Sequence, residues 1–126
     1  MKRKIVAFAG AITLGVALAS PPAAQNRVAS AQTEAGELVY KKHCAACHQA
    51  DGGGYAGLYP ALAKNPRLVE PAYPLMVIIN GQNAMPAIGR NLKDQQVADV
   101  VNYLRSNLGN RYKPTVKPAD AAALRP

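Results

Sequence analysis

The chain has 126 residues, a one-domain length, with 49% hydrophobic residues, two cysteines, one Phe and no Trp. Its 15 Lys and Arg against 7 Asp and Glu give a formal charge of +8. Lys2, Arg3, Lys4 and Arg27 all fall in the first 31 residues, so the basic balance is poor evidence for nucleic-acid binding and no such partner is expected.

The N-terminus reads Met-Lys-Arg-Lys, followed by an apolar, small-residue run from Ile5 to about Ala19. A charged segment followed by such a run predicts a secretory signal. Ala17-Leu18-Ala19 and Ala29-Ser30-Ala31 both fit a small-residue cleavage site, and a stretch ending at Ala24 is a weaker option. Residues 20–35, rich in Ser, Pro, Ala, Gln and Asn, read as a flexible leader. The alternative is an uncleaved anchor, which would bring membrane contact. The run is shorter than the roughly 20 residues a spanning helix needs. The expected organisation is a signal peptide and leader over residues 1–31, a folded domain over 32–112 and a Pro-containing tail over 113–126. The expected location is periplasmic or otherwise exported, with the protein soluble once the signal is removed. A domain of this size profits from a cross-link or a bound group to pack around.

The first predicted helix of that domain runs from about Thr33 to Ala46. Gly36, Tyr40, His43 and Cys44 recur at three- and four-residue spacings, which suits one buried face. Cys44-Ala45-Ala46-Cys47-His48 is the C-x-x-C-H string of covalent c-type haem attachment. Positions i and i+3 share a helix face, so Cys44 and Cys47 can each form a thioether to one porphyrin, and His48 can turn its imidazole to the iron. Two other readings exist for the cysteines. An exported chain can join them as a disulfide. A thioredoxin-like pair would sit near a βαβ pattern, and no alternating strand-like run lies nearby.

Gln49 to Pro60, with Asp51-Gly52-Gly53-Gly54, is a loop signal. Pro66, Pro71 and Pro74 break the middle into short pieces. Pro74 suits the first turn of a helix that continues through Leu75-Met76-Val77-Ile78-Ile79 and ends at Gly81, although this run also fits a short strand. The clearest helix is predicted from about Asp94 to Leu108. Val97, Val100, Val101 and Leu104 form its apolar stripe, with Tyr103 beside it, and Gly109 suits its C-terminal cap. In the tail, Ala119 to Leu124 has the composition for one or two helical turns.

A second axial ligand would decide what the iron does. Met76 lies in an apolar helical run, where Met usually fills core gaps. Met85 lies in a loop, Gly81-Gln82-Asn83-Ala84-Met85-Pro86, and Pro86 restricts its backbone to extended forms. Met85 is therefore the expected sixth ligand, with Met76, a histidine or an open site as alternatives. His43 directly precedes Cys44 and is too close to His48 to reach the opposite haem face. It is expected on a partly exposed helix surface.

Together these residues resemble the class I cytochromes c, small monohaem electron carriers, over roughly residues 34–108. The resemblance implies an all-α cytochrome c fold of three to five short helices around one covalently bound haem c and its iron. It implies a crossing of the first and last helices through Gly36, Tyr40 and Tyr103, with Val100 nearby. It also implies that the carbonyl of Pro60 accepts a hydrogen bond from the His48 imidazole, and that Met85-Pro86 is the methionine loop. Where the family's last helix usually starts with a Ser or Thr cap, this chain has Lys93, with Asp94 or Asn91 as alternative caps. Asn65, Arg67, Tyr73 and Arg90 are candidates for the haem propionates. The tail, from Val116 to Asp120 and then Leu124-Arg125-Pro126, is similar to endings of bacterial cytochromes that partner exported dehydrogenases of sugars or alcohols.

The expected function is one-electron transfer between redox proteins, with no enzymatic activity of its own and no small-molecule substrate. A periplasmic dehydrogenase would be the donor, and a terminal oxidase or another cytochrome the acceptor. Lys41, Lys42, Arg90 and Lys93 flank the haem-binding segments and would either steer an acidic partner or form a solvated face. The alternative function is a haem enzyme or ligand sensor with an open distal site.

Overall fold

The structure is a computed structural model, and it describes residues 22–126. The signal-like run and the Ala17-Leu18-Ala19 cleavage site lie outside the described residues. Among those described, no helix is long and apolar enough to cross a membrane.

The secondary structure is helical. α1 spans Pro22–His43, α2 Ala45–His48, α3 Ala72–Asn80, α4 Asp94–Ser106 and α5 Pro118–Ala122, with 3-10 turns at Pro66–Val69 and Ile88–Asn91. No β-strand is present among the described residues, only isolated bridges between Tyr55 and Tyr59 and between Gln82 and Met85. The all-α expectation therefore holds, and the Leu75–Ile79 run is a helix rather than a strand.

α1 departs from expectation at its start. It begins at Pro22, not Thr33, and absorbs much of the stretch read as flexible leader. Its first three turns are exposed and stand on local terms. Several alanines favour helix there, and Ser30 and Thr33 donate hydroxyl bonds back to the carbonyls of Arg27 and Ala29. Burial begins only at Gly36, Val39 and Tyr40.

The core lies where α1 crosses α4. A β-carbon at Gly36 would stand 2.2 Å from the Asp99 carbonyl oxygen. Tyr40 and Tyr103 stack beside the crossing, with ring centroids 5.6 Å apart and planes tilted by 41°. Val97, Val100, Val101 and Leu104 are buried as the stripe predicted, but so are Asp99, Asn102 and Arg105. α4 is thus enclosed on its polar side as well. Asp99 lies at the α1 crossing, while Asn102 and Arg105 are covered by the segment after α4, which folds back and buries Val116 and Ala121.

Two details of α4 differ from the sequence reading. Lys93 is the N-cap and has no acceptor on its side chain, so the helix start is closed from the other side. Gln96 accepts from the Lys93 backbone N–H at 2.9 Å, the reciprocal half of a capping box. The helix also ends at Ser106 rather than Leu108, and Asn107 is its cap. In α3, Leu75, Ile78 and Ile79 face the core while Met76 is 47% exposed. Met76 is therefore not gap-filling core, because the four-residue repeat turns it away from α4.

Candidate haem site

Four segments wall one cleft of about 510 Å³. Cys44, Cys47 and His48 come from the end of α1 and from α2. Leu58, Tyr59 and Pro60 come from the following loop. Leu68, Tyr73, Val77 and Ile78 come from the middle turns and α3, and the Gln82–Pro86 loop closes the cleft with Met85. Cofactor sites typically enclose about 300–1,000 Å³ of mainly apolar space with few polar groups, and this one fits. All five predicted site residues (Cys44, Cys47, His48, Pro60 and Met85) line it.

Each is set by local chemistry. The Cys44 N–H bonds the Tyr40 carbonyl at 2.8 Å, so the helical ladder runs from α1 into the motif. Tyr40 Oη donates to the Gln49 carbonyl at 2.6 Å, anchoring the exit from α2, where Gln49 takes a left-handed φ of 66°. Burial pushes the Tyr40 phenol up to about 12, helped by Cys44, Tyr103 and Asp51. Burial likewise pushes the Cys44 thiol up to about 11, with Cys47 adding to it. The two thiols are not bridged, and no strand accompanies them among the described residues. The lack of a strand beside them speaks against the thioredoxin-like reading.

His48 is buried, and its Nδ1 lies 2.9 Å from the Pro60 carbonyl oxygen. A carbonyl only accepts, so Nδ1 carries the proton. In the neutral ring the lone pair is then on Nε2, the nitrogen left for a metal. The loop that brings Pro60 back depends on a residue the sequence reading treated only as part of a turn. Gly54 has a φ of +64°, and a β-carbon on it would meet the Tyr59 and Pro60 backbone at 2.5 and 2.8 Å. Its N–H bonds the His48 carbonyl at 3.0 Å. The run Gly52-Gly53-Gly54 was the available signal.

The Met85 loop is closed by paired backbone bonds, Gln82 N–H to the Met85 carbonyl at 3.0 Å and Met85 N–H to the Gln82 carbonyl at 2.9 Å. Met85 is half-buried and packs against the core. Of the propionate candidates, Asn65, Arg67 and Tyr73 line the cleft and Arg90 does not. Tyr73 Oη donates to Gln82 Oε1 at 3.2 Å, and Arg67 approaches the same hydroxyl at 3.5 Å. Lys41, Lys42, Arg90 and Lys93 are also absent from the lining, and Lys41 pairs with Glu37 at 2.6 Å on α1.

The sequence reading missed Arg105. Its guanidinium donates to the carbonyls of Leu68 at 3.0 Å, Val69 at 3.1 Å and Lys113, and to Thr115 Oγ1 at 3.2 Å. Burial lowers its affinity for its proton, partly offset by Glu70. Asn110 plays a similar part, donating to the Leu62 and Leu104 carbonyls and accepting from the Asn65 N–H, each at 2.8 Å.

A small all-α domain with a C-x-x-C-H segment on one wall of an apolar cleft is the architecture of a haem protein. Residues 31–104 match the family model described as cytochrome c oxidase, cbb3-type, subunit III. The chain is 40% identical over 119 residues to the cytochrome c subunit of a quinone alcohol dehydrogenase from Gluconacetobacter polyoxogenes, covering 82% of this chain and 25% of that subunit. It is 39% identical over 107 residues to a gluconate 2-dehydrogenase cytochrome c subunit from Pantoea cypripedii, covering 74% of this chain and 24% of the relative. It is 39% identical over 83 residues to cytochrome c6 of Bumilleriopsis filiformis, covering 60% of this chain and 92% of the relative. The chain belongs to this family of c-type cytochromes, whose cofactor is covalently bound haem c and whose role is electron transfer. It spans about a quarter of the length of the dehydrogenase subunits it matches.

Proposed function

We propose that the protein is a one-electron relay in which Cys44 and Cys47 hold the haem and His48 and Met85 are the axial ligands. The observation that carries this reading is the convergence of all four side chains on one apolar cleft, with Met85 reaching it from a loop remote in sequence from His48. The haem iron, when bound, supplies a one-electron Fe(III)/Fe(II) couple.

The chain's own residues tune and insulate that couple. The Pro60 carbonyl holds the His48 ring in one tautomer and raises its basicity. A Met ligand raises the reduction potential relative to a second His. The apolar lining excludes water and disfavours the more highly charged oxidised state. With His48 and Met85 both holding the iron, no open position would remain for a substrate, which favours a carrier over an enzyme. Arg67, Tyr73 and Gln82, with Asn65 nearby, form the polar edge suited to the haem carboxylates.

The donor is an exported alcohol or sugar-acid dehydrogenase, a reading supported by the names of the dehydrogenase-subunit relatives. The acceptor is a terminal oxidase or a further cytochrome. A signal segment is removed on export at a site between residues 19 and 31, and the segment after α4 folds onto the haem domain.

A spectrum of the haem-loaded protein tests the ligand set. The expected result is the weak near-infrared band of a methionine–Fe(III) bond, with no carbon monoxide binding to the reduced form. Absence of that band with rapid carbon monoxide uptake would instead indicate an open distal site, the enzyme or sensor alternative.

A further inference from the structure

We propose that Arg125 is a positioning residue for the Met85 side of the cleft. Its guanidinium donates to the Gly89 carbonyl at 3.1 Å, the Leu92 carbonyl at 2.7 Å and Asp94 Oδ1 at 2.6 Å. Those acceptors lie along the second half of the strap that leads from Met85 to α4, from the Ile88–Asn91 turn to the first residue of α4. The opposite side of the strap is fixed by close packing, since a β-carbon on Gly89 would stand 2.9 Å from the Ile78 carbonyl oxygen. The strap is therefore held between α3 and one guanidinium.

Arg125 is itself delivered by a docked segment. Asn102 bonds Val116 in both directions, at 2.8 and 3.0 Å, and Ala121 is fully buried against the core. Without Arg125, the strap between Pro86 and Leu92 keeps its packing on α3 and, among the described residues, only short-range turn hydrogen bonds, namely Ile88 N–H to Pro86, Arg90 N–H to Ala87 and Leu92 N–H to Gly89. Such turns open readily, because a few local bonds offset little chain entropy. A charge-assisted fork with three acceptors restrains the strap, and through it the Met85 backbone. The inference rests on the reading of Met85 as the axial ligand.

The test uses the haem-loaded full chain with Arg125→Ala, Arg125→Lys and Met85→Ala. In Arg125→Ala the amides of Ile88, Arg90 and Leu92 should exchange about tenfold faster or more, while those of Cys44 and Asn107 stay as in the parent. The methionine–iron band should disappear at a lower urea concentration than the helical signal does. Arg125→Lys, a point charge without the fork, should restore both in part. The proposal is overturned if Met85→Ala loses the band yet Arg125→Ala leaves strap exchange and the band's urea midpoint unchanged. Retention of the band in Met85→Ala overturns the ligand reading itself, and the positioning role with it.

Discussion

Gly36 meets the backbone of Asp99 so closely that a β-carbon would lie 2.2 Å from the Asp99 oxygen and 2.7 Å from the Tyr103 β-carbon. Two helix backbones touch there, with Tyr40 and Tyr103 filling the flank. The crossing sets the position of α1, and through the Tyr40–Cys44 and Tyr40–Gln49 bonds it sets the haem-attachment segment.

Gly36→Ala should therefore force the helices apart. The obstruction is backbone rather than a movable side chain, so the expected loss is about 3 kcal/mol, at the upper end of overpacking costs. Urea unfolding of the haem-loaded protein measures it. A loss below about 1 kcal/mol, within the range of well-tolerated swaps, would show that the crossing is not close-packed.

Tyr40 should titrate near pH 12, because burial disfavours its phenolate. In an unfolded chain it titrates near pH 10. A raised folded value means that its contribution to stability is complete below pH 10 and is lost as pH rises towards 12. Ionisation also removes the proton donated to the Gln49 carbonyl. Tyr40→Phe should cost about 1 kcal/mol at neutral pH and flatten this alkaline loss. An equally steep decline in the variant would assign the effect to another group.

Arg105→Met should destabilise the fold by about 3 kcal/mol, since it leaves the buried Leu68 carbonyl, and the partly exposed Val69 carbonyl beside it, without their donor. Arg105→Lys should recover only part, because one ammonium cannot span acceptors on both sides of α4. Thermal melts of the two variants would contradict this if both matched the parent.

Gly54→Ala should push the Pro60 carbonyl away from His48, given the 2.5 and 2.8 Å approaches to the Tyr59 and Pro60 backbone. Losing that acceptor makes the imidazole a weaker donor to iron and favours Fe(II). The reduction potential should rise by tens of millivolts, where about 59 mV is a tenfold change for one electron. Redox titration reads it, and an unchanged or lower potential would refute the orienting role of Pro60.

Much of the site was legible because its signals are local. Cys44, Cys47 and His48 are nearly contiguous, Tyr40 and Gly36 lie four and eight residues before Cys44, and Met85 is marked by Pro86 and its loop. Periodicity identified the buried stripe of α4 for the same reason, since one helix face repeats every three or four residues. It underestimated how much of α4 is buried, because Asp99, Asn102 and Arg105 look like a solvated face. Likewise Met76 resembled core in an apolar run, and its outward rotation depends on which side of α3 meets α4.

The haem-attachment motif, the helical class and the residues that line the cleft are all legible in residue order alone. How the walls of that cleft are held depends on contacts made in the folded chain. Arg105, Asn110 and Arg125 bond to main-chain carbonyls as many as 48 residues away. Every residue carries a carbonyl, so such a bond leaves no mark on the type of its partner. It exists only once the fold has brought donor and acceptor together.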